Sequence, residues 1–203
     1  EEAALGETVT VSVSGLPAGK TVQAVKAVDA DGTALQVVEV ARDKTYSFVM
    51  PAKAVTLSVE LTDVSDVAKA IVSRDTVTRI EAEDYDEQGG DPDMGDKAGV
   101  NVESCSDIGG GQNVGSTDAG DYMLYHNIYV EDAGTYQFRL RVASNNTDGG
   151  VEGSPDGVTI VTTAAPEGVV GTVPFTGDWQ TYTDVYLDVP LDAGFQTIRF
   201  NAT

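Results

Sequence analysis

The sequence predicts an all-β protein, and three features support this prediction. The chain has 22 Gly and 7 Pro among its 203 residues, which is typical of many tight turns. Valine and threonine, which favour strands, are frequent. Apolar residues alternate with polar ones, as at Val9, Val11 and Val13, so that they share one face of an extended strand. We therefore expect short strands joined by turns.

The first part of the chain, residues 1–62, predicts a small β-sandwich or barrel of about five strands. Turn sequences such as Pro17-Ala18-Gly19 and Asp29-Ala30-Asp31-Gly32 separate the strands, because Gly accepts positive φ and Asp side chains cap turns. The last of these strands places Val55, Leu57, Val59 and Leu61 on one face. In order, the expected strands are 8–14, 22–28, 36–40, 46–49 and 55–61.

The rest of the chain predicts a linker and a second β domain. Residues 63–76 have weak helical periodicity and mixed charge, which predicts a linker with one or two helical turns. Residues 77–203 resume the strand pattern with enough short strands for a β-sandwich or jelly roll. These strands are expected at 77–83, 100–103, 122–130, 136–143, 158–162, 169–173, 180–189 and 196–200.

Charge and composition exclude several classes of function. The chain has 33 Asp and Glu against 12 Lys and Arg, a formal net charge of −21, so it would repel nucleic acid. No apolar run approaches the length of about 18 residues that a membrane span needs, so membrane insertion is not expected. The single Cys105 and the single His126 exclude a disulfide framework, a multi-cysteine zinc site and most catalytic triads.

Two carboxylates stand close together at Glu81 and Glu83. On one strand they would share a face, with Cα atoms roughly 6.6 Å apart. A hard cation such as Ca²⁺ would compensate their repulsion. A glycosidase pair has a comparable separation, although such pairs come from different elements that flank a cleft. A solvated strand face is the third interpretation, and the residues alone leave all three open.

The single tryptophan, Trp179, lies in a turn-rich stretch just before a strand. An indole in this position is typical of a surface that stacks on sugars or other apolar ligands. Alternatively, the ring folds back as a lid over the core. Both interpretations stay open at this point.

The first domain resembles the small extracellular bacterial repeat domains related to internalin B repeats. The resemblance rests on an opening Gly-Glu-Thr-Val-Thr-Val and on the closing segment Tyr46-Ser47-Phe48-Val49-Met50-Pro51-Ala52. It implies a spacer or a surface-presentation unit in a long modular protein.

The second domain resembles a family 6 carbohydrate-binding module over about residues 77–203. The segments that carry the resemblance follow the family's order, and they include Arg79-Ile80-Glu81-Ala82-Glu83-Asp84-Tyr85, Ala119-Gly120-Asp121-Tyr122 and Thr176-Gly177-Asp178-Trp179-Gln180-Thr181-Tyr182. The resemblance implies a β-sandwich jelly roll that binds polysaccharide without cleaving it. We therefore do not expect this chain to be an enzyme.

The resemblance also implies a structural Ca²⁺ ion. Its ligands would be Glu81, Glu83 and a backbone carbonyl near Gln112, together with an Asp of the family's last strand. That strand would follow Thr203, so the module is expected to lack it.

Two sugar sites are implied as well. At the loop end of the sandwich, Trp179 matches a Trp that stacks on a sugar ring and Glu103 matches a Glu that assists it. Ser116 stands where the family has the Tyr that completes the clamp, so one stacking partner is missing. The second site lies on the concave sheet face, where Tyr122 would support a glucan chain and Tyr125, at odd spacing, would face the opposite way.

Together these features predict a secreted or cell-surface bacterial chain that targets an attached glycan-degrading enzyme to its substrate. The expected ligand is a neutral polysaccharide such as a β-glucan, xylan or agar. The alternative is a structural or adhesive spacer with a degenerate sugar site. A third hypothesis, that the chain is itself a hydrolase, requires paired acids on facing elements.

Overall fold

A computed structural model describes residues 3–41, 44–90, 99–145 and 157–203. The described residues form an all-β protein, which confirms the predicted fold class. The chain divides into two compact units, Glu1–Val67 and Ala68–Thr203. Nowhere in the four described ranges is there a helix long and apolar enough to cross a membrane.

The first unit contains two three-stranded antiparallel sheets. One sheet has the order β1-β5-β4 and the other β3-β2-β6. Val25, Ala27, Tyr46 and Phe48 are buried and form its core. The strands are β1 (Thr8–Ser12), β2 (Lys20–Asp29), β3 (Ala34–Leu35), β4 (Val38–Ala41), β5 (Thr45–Val49) and β6 (Val55–Asp63).

The apolar face predicted for the last strand of this unit is not fully buried. Leu57, Val59 and Leu61 are all exposed, although they alternate as expected. In the described part of the chain β6 pairs with β2 alone and forms the edge of its sheet, where side chains have neighbours on one side only. The alternation therefore predicted the strand correctly and overstated its burial.

The second unit is built on a six-stranded sheet with the order β14-β13-β16-β11-β7, in which β8 also pairs with β11. Two further antiparallel pairs, β12 with β15 and β9 with β10, complete it. The strands are β7 (Ala70–Val72), β8 (Glu87–Gly89), β9 (Asn101–Ser104), β10 (Gln112–Gly115), β11 (Tyr122–Val130), β12 (Gly134–Ser144), β13 (Gly157–Val161), β14 (Val169–Thr172), β15 (Asp178–Leu191) and β16 (Gly194–Ala202).

The buried core of the second unit is formed by side chains from β11, β13, β15 and β16. Ile128, Val130, Ile160 and Val189 are completely buried at its centre. Every second residue of β12 from Tyr136 to Leu140 packs against this cluster, while the residues between them are exposed. The strand predicted at 136–143 is therefore confirmed.

The strand predicted at 77–83 is wrong. Residues 77–81 are neither helix nor strand, and a single 3-10 turn, Ala82–Asp84, follows. Tertiary contacts explain the difference, because Tyr125 donates a hydrogen bond of 2.6 Å from its hydroxyl to the carbonyl of Ala82 and Lys69 donates one to the carbonyl of Asp84. Glu81 and Glu83 therefore do not share one strand face.

The segment predicted as a linker contains structure that belongs to the second unit. A 3-10 turn at Val64–Asp66 matches the helical signal. After it, β7 pairs in parallel with β11, from Ile128↔Ala70 to Val130↔Val72. Three residues are too few to show a strand period, so this strand, like the equally short β8, could not be recognised from the sequence.

Candidate functional site

The exposed tryptophan lies where β15 begins. Trp179 is the second residue of this strand, and 54% of its surface is exposed. The preceding turn is anchored to the end of β12, since the amide of Ser144 donates to the Thr176 hydroxyl (2.9 Å) and the amide of Thr176 donates to the Ser144 carbonyl (2.8 Å). The indole is thus exposed to solvent, and the turn before its strand is hydrogen-bonded to the end of β12.

The connection between β9 and β10 is fastened to the residue after this tryptophan. The Gln180 side-chain carbonyl accepts hydrogen bonds from the Ser106 amide (2.8 Å), the Ser106 hydroxyl (3.3 Å) and the Tyr182 hydroxyl (3.3 Å). One glutamine oxygen therefore joins the β9–β10 connection to the start of β15.

An arginine from β12 holds the same connection. The Arg141 guanidinium donates two hydrogen bonds, of 2.7 and 2.8 Å, to the carboxylate of Asp107, and it lies 3.5 Å from Asp184. Its Cζ atom is 5.8 Å from the centroid of the Tyr182 ring. These hydrogen bonds from Arg141 lower the pKa of Asp107 to about 2, so the ion pair persists in mild acid.

The direction of the Asp107 pKa shift predicts how the ion pair with Arg141 depends on pH. The pKa of Asp107 is depressed from 3.8 to about 2 in the folded chain. The ion pair with Arg141 therefore contributes its full stabilisation of the fold above pH 3.8, and this stabilisation is lost as pH falls through about 2. We expect Trp179 fluorescence to stay constant from pH 7 to 4. Arg141→Gln should introduce a transition near pH 3.8, whereas Arg139→Gln, on the exposed face of the same strand, should not. A transition near pH 4 in the parent chain would contradict the assignment.

Glu103 lies on β9, and Ser116 directly follows β10, the strand that pairs with it. The exposed Glu103 carboxylate covers the backbone of Gly115, where any side chain would overlap it. The pKa of Tyr182 on β15 is raised. Burial is the largest cause, and the charges of Cys105, Asp107 and Glu103 add to it. Ser116 follows directly, exposed and with φ of 52°. Glu103 and Ser116 are thus carried by the β9–β10 pair, whose connection is fastened to Gln180, the residue after Trp179.

Tyr122 lies elsewhere, on the outer face of the six-stranded sheet. Its ring leans over Gly89, where a Cβ atom would be 2.8 Å from the tyrosine hydroxyl oxygen. The Cζ atom of Arg199 is only 3.9 Å from the ring centroid. Tyr125 is 5% exposed and packs in the core on the opposite face, as the odd spacing predicted. A stacking role for Tyr122 remains a prediction, and the guanidinium covers a face of its ring.

The two acids expected to bind a metal lie on either side of one turn. Glu81 precedes the 3-10 turn and forms an ion pair with Arg79, with Nε and Oε1 2.7 Å apart. Glu83 lies within the turn and, among the described residues, pairs with no cationic side chain. The pKa of Tyr125 is raised above its usual range, mainly by burial of its hydroxyl and further by the charges of Glu83 and Asp84. Glu83 and Asp84 thus lie close enough to Tyr125 to act on its hydroxyl.

The oxygen atoms near this turn fit a hard cation in part. Strand β10, which begins at Gln112, lies beside the turn. The Asn113 side-chain oxygen on this strand is buried and accepts no hydrogen bond in the structure. Carboxylate, amide and backbone oxygens are ligands that Ca²⁺ prefers. However, the described part of the chain has no ready group of three or more acidic, His or Cys ligands. Glu81 would have to leave Arg79 to bind an ion.

Comparison with known proteins decides the family of this chain. The sequence profile of the carbohydrate-binding module family 6 matches residues 81–203, which is more than half of its length. The chain belongs to the carbohydrate-binding module family 6. This family is named for binding carbohydrate and not for cleaving it, in agreement with the expectation that the chain is not an enzyme.

Individual relatives match part of the chain. The clotting factor G alpha subunit of Tachypleus tridentatus is 34% identical over 99 residues, which are 49% of this chain and 14% of that protein. The module of Cellvibrio mixtus lichenase 5A in complex with cellotriose is 31% identical (TM-score 0.48; 60% of this chain and 83% of that chain). A β-1,3-glucan binding module from Bacillus halodurans is 28% identical (TM-score 0.47; 60% and 80%).

Three residues at these sites were not predicted as functional from the sequence. Arg141 and Arg199 were expected only to be polar positions on strands, and Gln180 only to begin one. Arg199 meets the Tyr122 ring because the register of β11 with β16 pairs Tyr122 with Asn201, two residues after Arg199. The role of Gln180 follows from a bond across 74 residues. Neither relation leaves a local sequence signal.

Proposed function

We propose that this family 6 module binds a neutral polysaccharide without cleaving it and targets an attached glycan-degrading enzyme, secreted or on a bacterial cell surface, to that substrate. The observation that carries the proposal is the exposed indole of Trp179 at the start of β15, a strand start to which the connection that follows Glu103 and β9 is fastened through Gln180. Relatives are described as bound to cellotriose or as binding β-1,3-glucan, which supports β-glucan as the ligand class, with xylan and agar as alternatives.

The binding mechanism follows from the chemistry of these two side chains. The apolar face of a pyranose ring stacks on the Trp179 indole, and Glu103 accepts hydrogen bonds from sugar hydroxyls. Ser116 offers no second ring, so stacking is one-sided. A single aromatic contact contributes about 0.5–1.5 kcal/mol beyond the area it buries, so the affinity should be low.

A second function is favoured by one specific observation, the serine at position 116. If the site has lost its function, the chain is a structural or adhesive spacer on the cell surface. The resemblance of the first unit to internalin B repeats supports this alternative.

Affinity electrophoresis separates the two functions. The complete chain is run through gels that contain a mixed-linkage β-glucan, a β-1,3-glucan, xylan or agarose, beside a gel without polysaccharide. Targeting requires that at least one of these polymers slows the chain. Equal mobility in every gel would leave the spacer function.

Calcium removal gives a further prediction. We propose that Ca²⁺ binds beside the 3-10 turn at Glu83, so calcium should raise the melting temperature of the complete chain and EDTA should lower it. At 100 times its dissociation constant the ion would stabilise the fold by about 2.7 kcal/mol. Glu83→Gln should remove most of this increase, and Glu167→Gln, at an exposed position in the β13–β14 connection, should retain it. Equal melting temperatures in calcium and in EDTA would exclude the ion.

A further inference from the structure

The outer face of the six-stranded sheet presents an arginine that is supported from two sides. The guanidinium of Arg199 stacks on the Tyr122 ring, 3.9 Å from its centroid. Its Nε donates a hydrogen bond of 2.6 Å to the Asn201 side-chain oxygen. One side chain therefore fixes the plane of the guanidinium and the other fixes its rotation, while the two Nη atoms have no hydrogen-bond partner among the described residues.

This arginine makes no ion pair with any described carboxylate, although the chain has 33 acidic residues. A carboxylate lies on the same outer face at Glu87, on β8, but it contacts His126, with Oε1 and Nε2 3.0 Å apart. Among the described residues, the guanidinium is therefore held in one orientation on the sheet face without a carboxylate partner. The arrangement leaves the donors of Arg199 available to an external acceptor.

We infer that this face recognises a carboxylate carried by a sugar, so that its ligand is a uronic acid unit of a polysaccharide. The inference rests on the proposed carbohydrate binding and adds a ligand class to it. The Nη atoms of an arginine form a planar fork that matches a carboxylate in two parallel hydrogen bonds. Tyr122 then acts as a support for Arg199 rather than as the surface on which the sugar stacks.

The surrounding face suits a sugar ring. The register pairs Tyr122 with Asn201 and Asn201 with Thr159, so a polar row crosses three strands beside the guanidinium. Hydroxyl and amide groups of this kind bond sugar hydroxyls. The net charge of −21 repels polyanions at long range, but a Debye length of about 8 Å at physiological ionic strength screens distant charges and leaves a contact at Arg199 effective.

Calorimetry on the complete chain tests the inference. The ligands are tri-galacturonic acid, its neutral methyl ester, and a trisaccharide that has no carboxylate and bears one sulfate ester. All titrations are run in 0.15 M salt with EDTA to exclude bridging by calcium. We expect the free acid to bind at least about tenfold more tightly than its ester. Arg199→Gln should reduce binding of the acid by a similar factor, whereas Arg139→Gln, which removes an exposed arginine of β12, should not.

Each outcome decides for or against the inference. Equal affinity for acid and ester, binding unaffected by Arg199→Gln, or a preference for the sulfate ester would each overturn it, as would failure of the acid to bind. The same titration in Trp179→Ala separates this site from the proposed one. Binding of the acid that survives this change, while neutral polysaccharide no longer slows the chain, supports an independent second site.

Discussion

Replacing Trp179 with alanine is expected to abolish the retardation of the chain by the neutral polysaccharide that slows the parent. The indole lies at the start of β15 with 54% of its surface exposed, so its removal deletes the proposed stacking surface without opening the core. A binding anchor of this kind typically costs about 2 kcal/mol or more when truncated, or roughly thirtyfold in affinity. Affinity electrophoresis measures the loss.

A matched control exists on the outer face of the β12–β15 pair. Tyr186 has the same exposed fraction, 54%, and Tyr186→Ala should leave mobility in the polysaccharide gel unchanged. Conversely, Ser116→Tyr should restore the second stacking ring and tighten binding by about two- to tenfold. Retardation that persists in Trp179→Ala would show that the polysaccharide binds elsewhere.

Replacing the buried Asp121 with alanine is expected to produce the largest loss of stability. This carboxylate is 1% exposed and accepts hydrogen bonds from the amides of Gly99 (3.1 Å) and Asp118 (2.9 Å). Alanine would leave both amides without their acceptor, at about 1–3 kcal/mol each. The free energy of unfolding of the second unit should therefore fall by about 2–5 kcal/mol, as measured by urea denaturation followed by circular dichroism.

Two further variants define this effect. Asp188→Ala removes an exposed carboxylate from β15 and should change stability by less than about 0.5 kcal/mol. Gly90→Ala should also destabilise, because a Cβ atom there would overlap the Asp121 carboxylate. If Asp121→Ala were as stable as Asp188→Ala, the two amides would have to find other acceptors, and the assigned role of Asp121 would be wrong.

Local periodicity predicted the elements whose burial alternates strictly. In β12 the inward residues Tyr136, Phe138 and Leu140 follow the period of two without interruption, and the strand was predicted almost to its ends. In β11 the alternation breaks at a bulge between Tyr125 and Ile128, yet nine residues leave enough pattern on either side. Long strands that pack one face on the core reveal themselves in this way.

Short elements and turns depend on partners that are distant in sequence. The acidic residues around Ala82 alternate as in a strand, but the hydroxyl of Tyr125 reaches the Ala82 carbonyl across 43 residues and stabilises a 3-10 turn. Likewise β10 has only four residues after three glycines with positive φ, and it becomes a strand because β9 pairs with it. The strand geometry expected for Glu81 and Glu83, the two acids predicted to bind a metal, was wrong for this reason.

The candidate site shows the same difference between residues that a local pattern indicates and contacts between residues distant in sequence. The two residues proposed to bind sugar, Trp179 and Glu103, were chosen from the sequence, whereas the contacts around them could not be predicted from it. Gln180 and Arg141 fasten the β9–β10 connection through bonds across 74 and 34 residues. Arg199 meets Tyr122 only through the register of β11 with β16.

The central claim is that a sugar ring stacks on Trp179, and fluorescence tests it most directly because the chain has one tryptophan. Emission is recorded while a neutral oligosaccharide of the polysaccharide that retards the chain is added, with and without the quencher acrylamide. The account predicts a saturable shift of the emission to shorter wavelength and protection from quenching as the sugar covers the indole. Saturable binding by calorimetry with unchanged emission and unchanged quenching would contradict it.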